Sequence, residues 1–277
     1  MPFFKTNRGD SRAMILLAPS GACLKPFSGQ ITCSARIHND LTNQLQRMRG
    51  SVYLEDSAIQ ASDLTACGRH VSSQDEQSWH LLTLGTNGAV QGCTRMHRHK
   101  KSVGYHDLGV SSSPLSDCPA WGTRFRDSVK KELDDARNNG FSYFEIGGWA
   151  LAPEVRGTAE ALKSVLSIFA LGGIGGEAFG ISTATERNSS ASILRRLGGR
   201  PLESNGDPVP PYYDDKYRCG MEVLRFDSRF PNPRYAAAIG ELRARISRVP
   251  VIVPESAPGR VNPAFSFVPS FAAPSFA

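Results

Sequence analysis

The sequence predicts an α/β domain in which helices flank a mixed sheet, and three observations carry that expectation. Apolar runs of strand length alternate with stretches whose apolar residues recur at helical spacing. Asn87-Gly88 stands between two short apolar runs, the strongest local signal for a β-hairpin. A run ending at Leu151 meets Pro153, then Arg156-Gly157-Thr158, then a helix-like stretch, which makes a strand–turn–helix junction.

Taken in order, residues 1–35 lack periodicity and read as a partly ordered N-terminal arm. Ile37, Leu41, Leu45 and Met48 recur at helical spacing and predict a first helix. Residues 78–96 form the hairpin, and 97–120 are polar and irregular. Residues 121–140 read as a charged amphipathic helix stopped by Gly140. A strand follows over 141–151, a helix over about 158–172 and a strand over 177–184. The segment 188–199 is a short helix, capped by Asn188 or Ser189 and closed by Gly198. A strand over 217–226 precedes a C-terminal helix over 232–249, with Tyr235, Ile239, Leu242, Ile246 and Val249 on one face. Residues 36–254 thus read as one domain, and 255–277, rich in Pro, Ser, Ala and Phe, as a disordered tail.

Composition narrows the class. Of the 277 residues 40% are hydrophobic and 21% charged, as in soluble globular proteins. No run reaches the roughly 18 apolar residues that a membrane helix needs, and the N-terminus lacks a secretory pattern, so the expected location is cytoplasmic. Six scattered cysteines with no C-x-x-C pair exclude a zinc knuckle or redox motif and predict reduced structural thiols. The net charge of +6 suits an acidic partner, but no nucleic-acid recognition motif is present. His97-x-His99 has no further ligand nearby in sequence, so no metal site is expected.

The junction and a segment about 30 residues on resemble two signature segments of the GNAT acyltransferase superfamily. The first, Arg/Gln-x-x-Gly-x-Gly/Ala, is matched by Arg156, Ala159 and Ala161, with alanine at position 159 where glycine is usual. The second is matched by Asn188, Ala191, Leu194 and Gly198, with Arg195 where a tyrosine general acid is frequent. Within the superfamily the chain is most similar to the autoinducer-synthase-like branch of acyl-homoserine-lactone and long-chain N-acyl amino acid synthases. Arg47, Arg49, Tyr53, Asp75, Trp79-His80, Arg95 and Glu145 carry that likeness, over residues 40–226. Gly148 stands where lactone synthases usually carry arginine, which points to a different amine acceptor.

The resemblance implies a GNAT-like fold with a mostly antiparallel, splayed central sheet. It implies an N-acyltransferase moving a fatty acyl group from a phosphopantetheine thioester, acyl carrier protein or acyl-CoA, to a small amine such as an amino acid. The thioester is a cosubstrate, and no cofactor is permanently bound. An acetyltransferase of a small amine or protein lysine, and a non-catalytic binding protein on the same fold, are the alternatives.

Donor-binding candidates are Trp149, Ala150 and Leu151, whose strand-end N–H groups polarise the thioester carbonyl, and Arg156, Gly157, Thr158, Ala159, Glu160 and Ala161 with Asn188 and Ala191. Thr158 and Glu160 make the phosphate loop less positive than is usual, which suits the single phosphate of acyl carrier protein. Asp75, Trp79 and Arg95 are candidates for the acceptor or acyl pocket, the tryptophans alternatively serving the core. Glu145 is either the base that takes the amine proton or a structural carboxylate paired with Arg95 or Arg124. Arg98, Lys100 and Lys101 are either a solvated loop or the surface that meets the carrier protein's acidic helix.

Overall fold

The computed structural model describes residues 12–254; the first part of the arm and the 255–277 tail lie outside the described residues. Its strands are β1 (Ala13–Leu17), β2 (Ile31–Cys33), β3 (Ser78–Leu84), β4 (Val90–Arg98), β5 (Ser142–Leu151), β6 (Ala178–Thr185) and β7 (Arg200–Pro201). They continue with β8 (Glu203–Ser204), β9 (Asp207–Pro208), β10 (Tyr212–Asp214), β11 (Cys219–Asp227) and β12 (Val251–Val253). The helices are α1 (Ala35–Glu55), α2 (Gly122–Asn138), α3 (Ala159–Gly172), α4 (Ser190–Leu197) and α5 (Ala236–Ile246). One sheet runs β10-β11-β6-β5-β4-β3-β1-β12-β2, with β7 beside β11, while β8 and β9 form a separate hairpin. Its central pairs are antiparallel except β5 with β6. This is the mixed, mostly antiparallel sheet that the resemblance implied.

Local chemistry explains most boundaries. The β3–β4 turn places Gly88 at φ 78°, where a side chain would be strained. Helix α1 starts at Ser34, whose hydroxyl accepts from Ile37 N–H. Two helices cover one face of the sheet. Helix α1 sets Leu45 and Val52 against Ile15, Leu17 and Leu82, while α2 sets Phe125, Val129 and Leu133 against Tyr143, Phe179 and Ile181. On the other face, α3, α4 and α5 bury Val165, Phe169, Leu194 and Leu242 against Phe144, Ile146 and Phe226.

Three expectations change. Residues 13–17, read as part of an arm, form β1 between β3 and β12, with Leu16 and Leu17 fully buried. A strand covered on both faces shows a continuous apolar run without alternation, which is why no strand period was visible. The cap expected at Ser189 is not made: its side chain has no capping bond, its φ is 60°, and a 3₁₀ turn over Arg187–Ser189 leads into α4 instead. The C-terminal helix is shorter than 232–249: a 3₁₀ turn over Pro233–Tyr235 leads into it, it ends at Ile246, and the chain turns through residues 247–250 to enter β12.

The pairing of β5 positions the site. Parallel pairing with β6 runs only from Ser142↔Ala178 to Glu145↔Ile181. Both strands continue past it, β5 to Leu151 and β6 to Thr185, so they part like the arms of a V.

Leu16→Ala tests whether β1 belongs to the core. A fully buried leucine in a closed sheet predicts a loss of about 2–5 kcal/mol, measured by urea unfolding; a dispensable arm would lose almost nothing.

Candidate active site

The V opens at a β-bulge. Arg95 pairs with Gly147 and Cys93 with Ala150, so Gly148 and Trp149 together oppose one residue of β4. Gly148 has φ 62°, and a Cβ there would lie 3.0 Å from Arg95 Cβ and 3.3 Å from Arg49 Nη1. Glycine is therefore required both by conformation and by two neighbouring arginines. Ala152 N–H donates to Gln91 O at 2.8 Å, so the alternating pleat turns Leu151's polar groups away from β4 and into the V. Its carbonyl accepts from Arg156 Nε at 3.0 Å. Of the two strand-end amides singled out from sequence, Leu151 faces the gap and Ala150 faces β4.

The start of α3 lies directly beyond. Gly157 has φ 71° with open space around it. Thr158 Oγ1 accepts from Glu160 N–H, and Thr158 O accepts from Ala161 N–H. Among the described residues the N–H groups of Gly157 and Ala159 have no acceptor, which leaves two donors at a positive helix end. Glu160 is buried and ion-paired with Lys163 Nζ at 2.5 Å. The Arg156 fork binds Asp56 at 3.0 and 3.1 Å. Ala191 sits buried in the core, and Trp149 is half-buried against that core with its indole N–H unpartnered among the described residues.

A buried polar cluster occupies the α1 side of the bulge. Asp75 receives Arg49 Nη1 at 3.0 Å, Arg49 Nη2 at 2.6 Å, Gln46 Nε2 at 3.0 Å and Ser72 N–H at 3.0 Å. Arg95 Nη1 lies 3.6 Å from Asp75 Oδ1 and donates to Ser72 Oγ at 2.5 Å. Burial pushes the Asp75 pKa up, but the hydrogen bond and charge of Arg49 outweigh it and hold the carboxyl far below its ordinary value. Burial lowers His80 to about 4, and burial with the Arg49 charge lowers His70 to about 4. The Nε atoms of Arg49 and Arg95 are buried without acceptors among the described residues.

Glu145 points from β5 into the same side. Its Oε2 accepts from Gln74 Nε2 at 2.9 Å and pairs with His99 Nε2 at 3.0 Å, while Oε1 accepts from Val110 N–H at 3.3 Å. Burial alone would raise its pKa, yet His99, Gln74 and a backbone N–H of the 109–110 turn lower it, so the carboxylate is ionised at neutral pH. Neither arginine expected as its structural partner touches it: Arg95 serves Ser72 and Asp75, and Arg124 serves Asp207 and Ser204.

The structure thus brings Asp75, Arg95 and Glu145 to one side of β4–β5 and the candidates from 149 to 161 to its end. Trp79 is separated from them, because it joins the core on the opposite face and packs on Phe27 at 5.0 Å. Arg98 pairs opposite Phe144, at the closed end of the V, so the basic run ending at Lys101 lies roughly 20 Å along the strand from Leu151. Cys93 is buried, donates to Gly148 O at 3.1 Å, and has its thiol pushed up to about 11 by burial. Arg49, Gln74 and His99 are site neighbours that motif reading did not select as site residues. A glycine pair at 147–148 facing basic residues was the available signal.

No family model matches the chain, and no curated protein matches it. Among solved structures, a CoA-dependent acyl-homoserine lactone synthase, BjaI, with SAM and isopentyl-CoA, is 15% identical at a TM-score of 0.51, covering 90% of this chain and 96% of that one. The same synthase with MTA gives 16% identity, a TM-score of 0.51 and the same coverages of 90% and 96%. FeeM, an N-acyl amino acid synthase from uncultured soil microbes, gives 10% identity and a TM-score of 0.42 over 67% of this chain and 83% of that one. The likeness is one of fold: the chain shares the fold of that acyl-homoserine lactone synthase. Among the described residues no helix is long and apolar enough to cross a membrane.

Asp75→Asn leaves buried Arg49 without a counter-charge and is expected to cost about 3–5 kcal/mol of stability, measured by chemical denaturation. Acid should act in two stages. His70 and His80 have folded pKa values below their ordinary value, so the unfolded chain takes up protons first and stability falls as pH drops from about 6.5 towards 4. Asp75 and Glu145 have depressed folded values, so their contribution is complete above about 4.5 and is lost below it. A midpoint flat from pH 7 to 4.5 would contradict the first stage.

Proposed function

We propose that the protein is an N-acyltransferase that passes an acyl group from a phosphopantetheine thioester to the amine of a small, carboxylate-bearing acceptor such as an amino acid. One observation carries this reading: β5 leaves β6 at Glu145, bulges at Gly148–Trp149 and ends beside the open start of α3. An exposed strand edge next to unpaired helix-start N–H groups suits a ligand that is amide-bearing along its arm and anionic at its end.

In this reading the pantetheine arm lies along β5 beyond Glu145, where no strand partners it and the Trp149 and Leu151 carbonyls are held by Tyr53 OH and Arg156 Nε, and its phosphate meets Gly157 N–H, Ala159 N–H and the Arg156 fork. Coenzyme A and acyl carrier protein both present that group. Glu160 is neutralised by Lys163, which leaves a site of modest positive charge and favours one phosphate. Leu151 N–H polarises the thioester carbonyl. The acceptor enters on the α1 side, its carboxylate drawn to Arg95 and its ammonium to Glu145. Glu145 takes the ammonium proton through a relay of waters along β5, the neutral amine attacks the carbonyl carbon, and the C–S bond breaks to release thiolate, while the second proton on nitrogen passes to that thiolate or to water. A thiolate leaves readily, so Arg195 in place of a tyrosine acid is tolerable.

Mass spectrometry of organic extracts from cells expressing the protein tests the reading: new N-acyl amino acids are expected, and unchanged lipids would count against it. Arg156→Ala should raise the donor KM about tenfold or more, the value of a charge-assisted phosphate contact; an unchanged KM would remove Arg156 from the donor site. Glu145→Gln should lower kcat about 10²–10⁴-fold, a loss far larger than the drop in thermal midpoint from its weakened contacts with His99, Gln74 and Val110. Full activity from pH 6 to 9 would make Glu145 structural.

A further inference from the structure

The turn that follows α1 touches both lips of the V. On the β5 side, Tyr53 OH donates to Trp149 O at 3.3 Å, and Asp56 accepts both arms of the Arg156 fork at 3.0 and 3.1 Å. On the β6 side, Arg187 Nη1 donates to Asp56 O at 3.3 Å and to Ser57 O, while its Nη2 donates to Arg218 O at 2.9 Å. Ser57 holds φ 54°, a backbone conformation that serine seldom adopts without surrounding constraint. Residues 53–57 therefore form a strap across the mouth, fastened by two arginines.

We infer that Asp56 is an internal competitor that sets anion affinity at the donor site: its carboxylate occupies the Arg156 fork, and a donor's phosphate must displace it. The inference rests on the proposed donor reading. A carboxylate and a phosphate both match a guanidinium fork, but a phosphate monoester carries more charge and a third oxygen. Arg156 and Asp56 are 37% and 22% exposed, so solvent screens their pair and exchange needs no unfolding. A ligand with a phosphate regains the contact that Asp56 gives up. A ligand without one gains nothing from Arg156, and the strap stays fastened. Recognition of the terminal anion thus comes from Arg156, and Asp56 sets how tightly that anion is held.

Calorimetric titration with two probes, phosphopantetheine and its dephosphorylated form pantetheine, tests this. Asp56→Asn keeps the shape and lowers the competing charge. It should bind phosphopantetheine roughly three- to tenfold tighter, with pantetheine affinity changed less than twofold. In an Arg156→Ala background the Asp56→Asn gain should vanish. In the wild-type protein, saturating phosphopantetheine should speed hydrogen exchange at the amides of Asp56, Ser57 and Ala58, which bond to Val52 O, Leu54 O and Tyr53 O. That measurement holds even if the variants fold poorly. Equal gains for both probes would mean that Asp56 merely obstructs the cleft. Unchanged phosphopantetheine affinity in Asp56→Asn, or unchanged or slower exchange, would overturn the inference while Arg156→Ala still weakened binding. If Arg156→Ala has no effect either, the donor reading itself falls.

Discussion

The bulge at Gly148–Trp149 is the constraint on which the site depends. An extra residue on one strand of an antiparallel pair bends that strand and sharpens its twist. Here the bent strand is β5, whose other neighbour is the parallel strand β6, and parallel pairing does not follow it past Glu145. The separation is therefore built into the register and needs no wedge between the strands. A side chain at 148 would meet Arg95 and Arg49 as well as a left-handed backbone, so the same glycine admits the bulge and the two guanidiniums beside it.

Those guanidiniums raise a question of cost. Burying Arg49 and Asp75 forfeits hydration that a single ion pair scarcely recovers, so the pair is weak evidence for stability. Its value lies in geometry. The fork of Arg49 fixes Asp75, Asp75 fixes Ser72 and Gln46, and the His80 ring bonds the Asp75 carbonyl at 2.8 Å. The loop before β3 is thereby held against α1, and Arg95 is positioned beside the bulge. Glu145 does the same for another loop, joining Gln74, His99 and the Val110 amide around one carboxylate. The two carboxylates anchor irregular segments that the apolar core does not reach.

What was legible in the sequence follows from range. The hairpin at Asn87-Gly88, the stop at Gly140 and the junction at Arg156 are local chemistry, and each lies where the residues indicated. Strands β1, β2 and β12 depend on pairing across most of the chain, as in Leu16 with Val251, and their short runs carry no period of their own. The partners of Glu145 were unreadable for the same reason: Gln74 is 71 residues away and His99 is 46. Of the two roles open to Trp79, acyl-pocket wall or core, the structure gives the core. Strand alternation sends it to the face opposite Asp75, next to Met96 and Leu81 in the core under α3 and α5.

The arrangement also explains why a chain of +6 net charge shows so little free positive charge around the V. Arg49 is bound to Asp75, Lys163 to Glu160, Arg195 to Glu222 and Arg156 to Asp56. These four cations each have a carboxylate partner, while Arg187 is held by backbone carbonyls, so the field there is set by backbone N–H groups and by whichever pair solvent can exchange. Lys163–Glu160 and Arg49–Asp75 are buried on both sides, whereas Arg156–Asp56 is reachable from both. An incoming anion meets lower resistance at Arg156–Asp56 than at the two buried pairs. Recognition of a terminal anion thus falls to the turn before α3, and the buried pairs keep their geometry whatever the cleft holds.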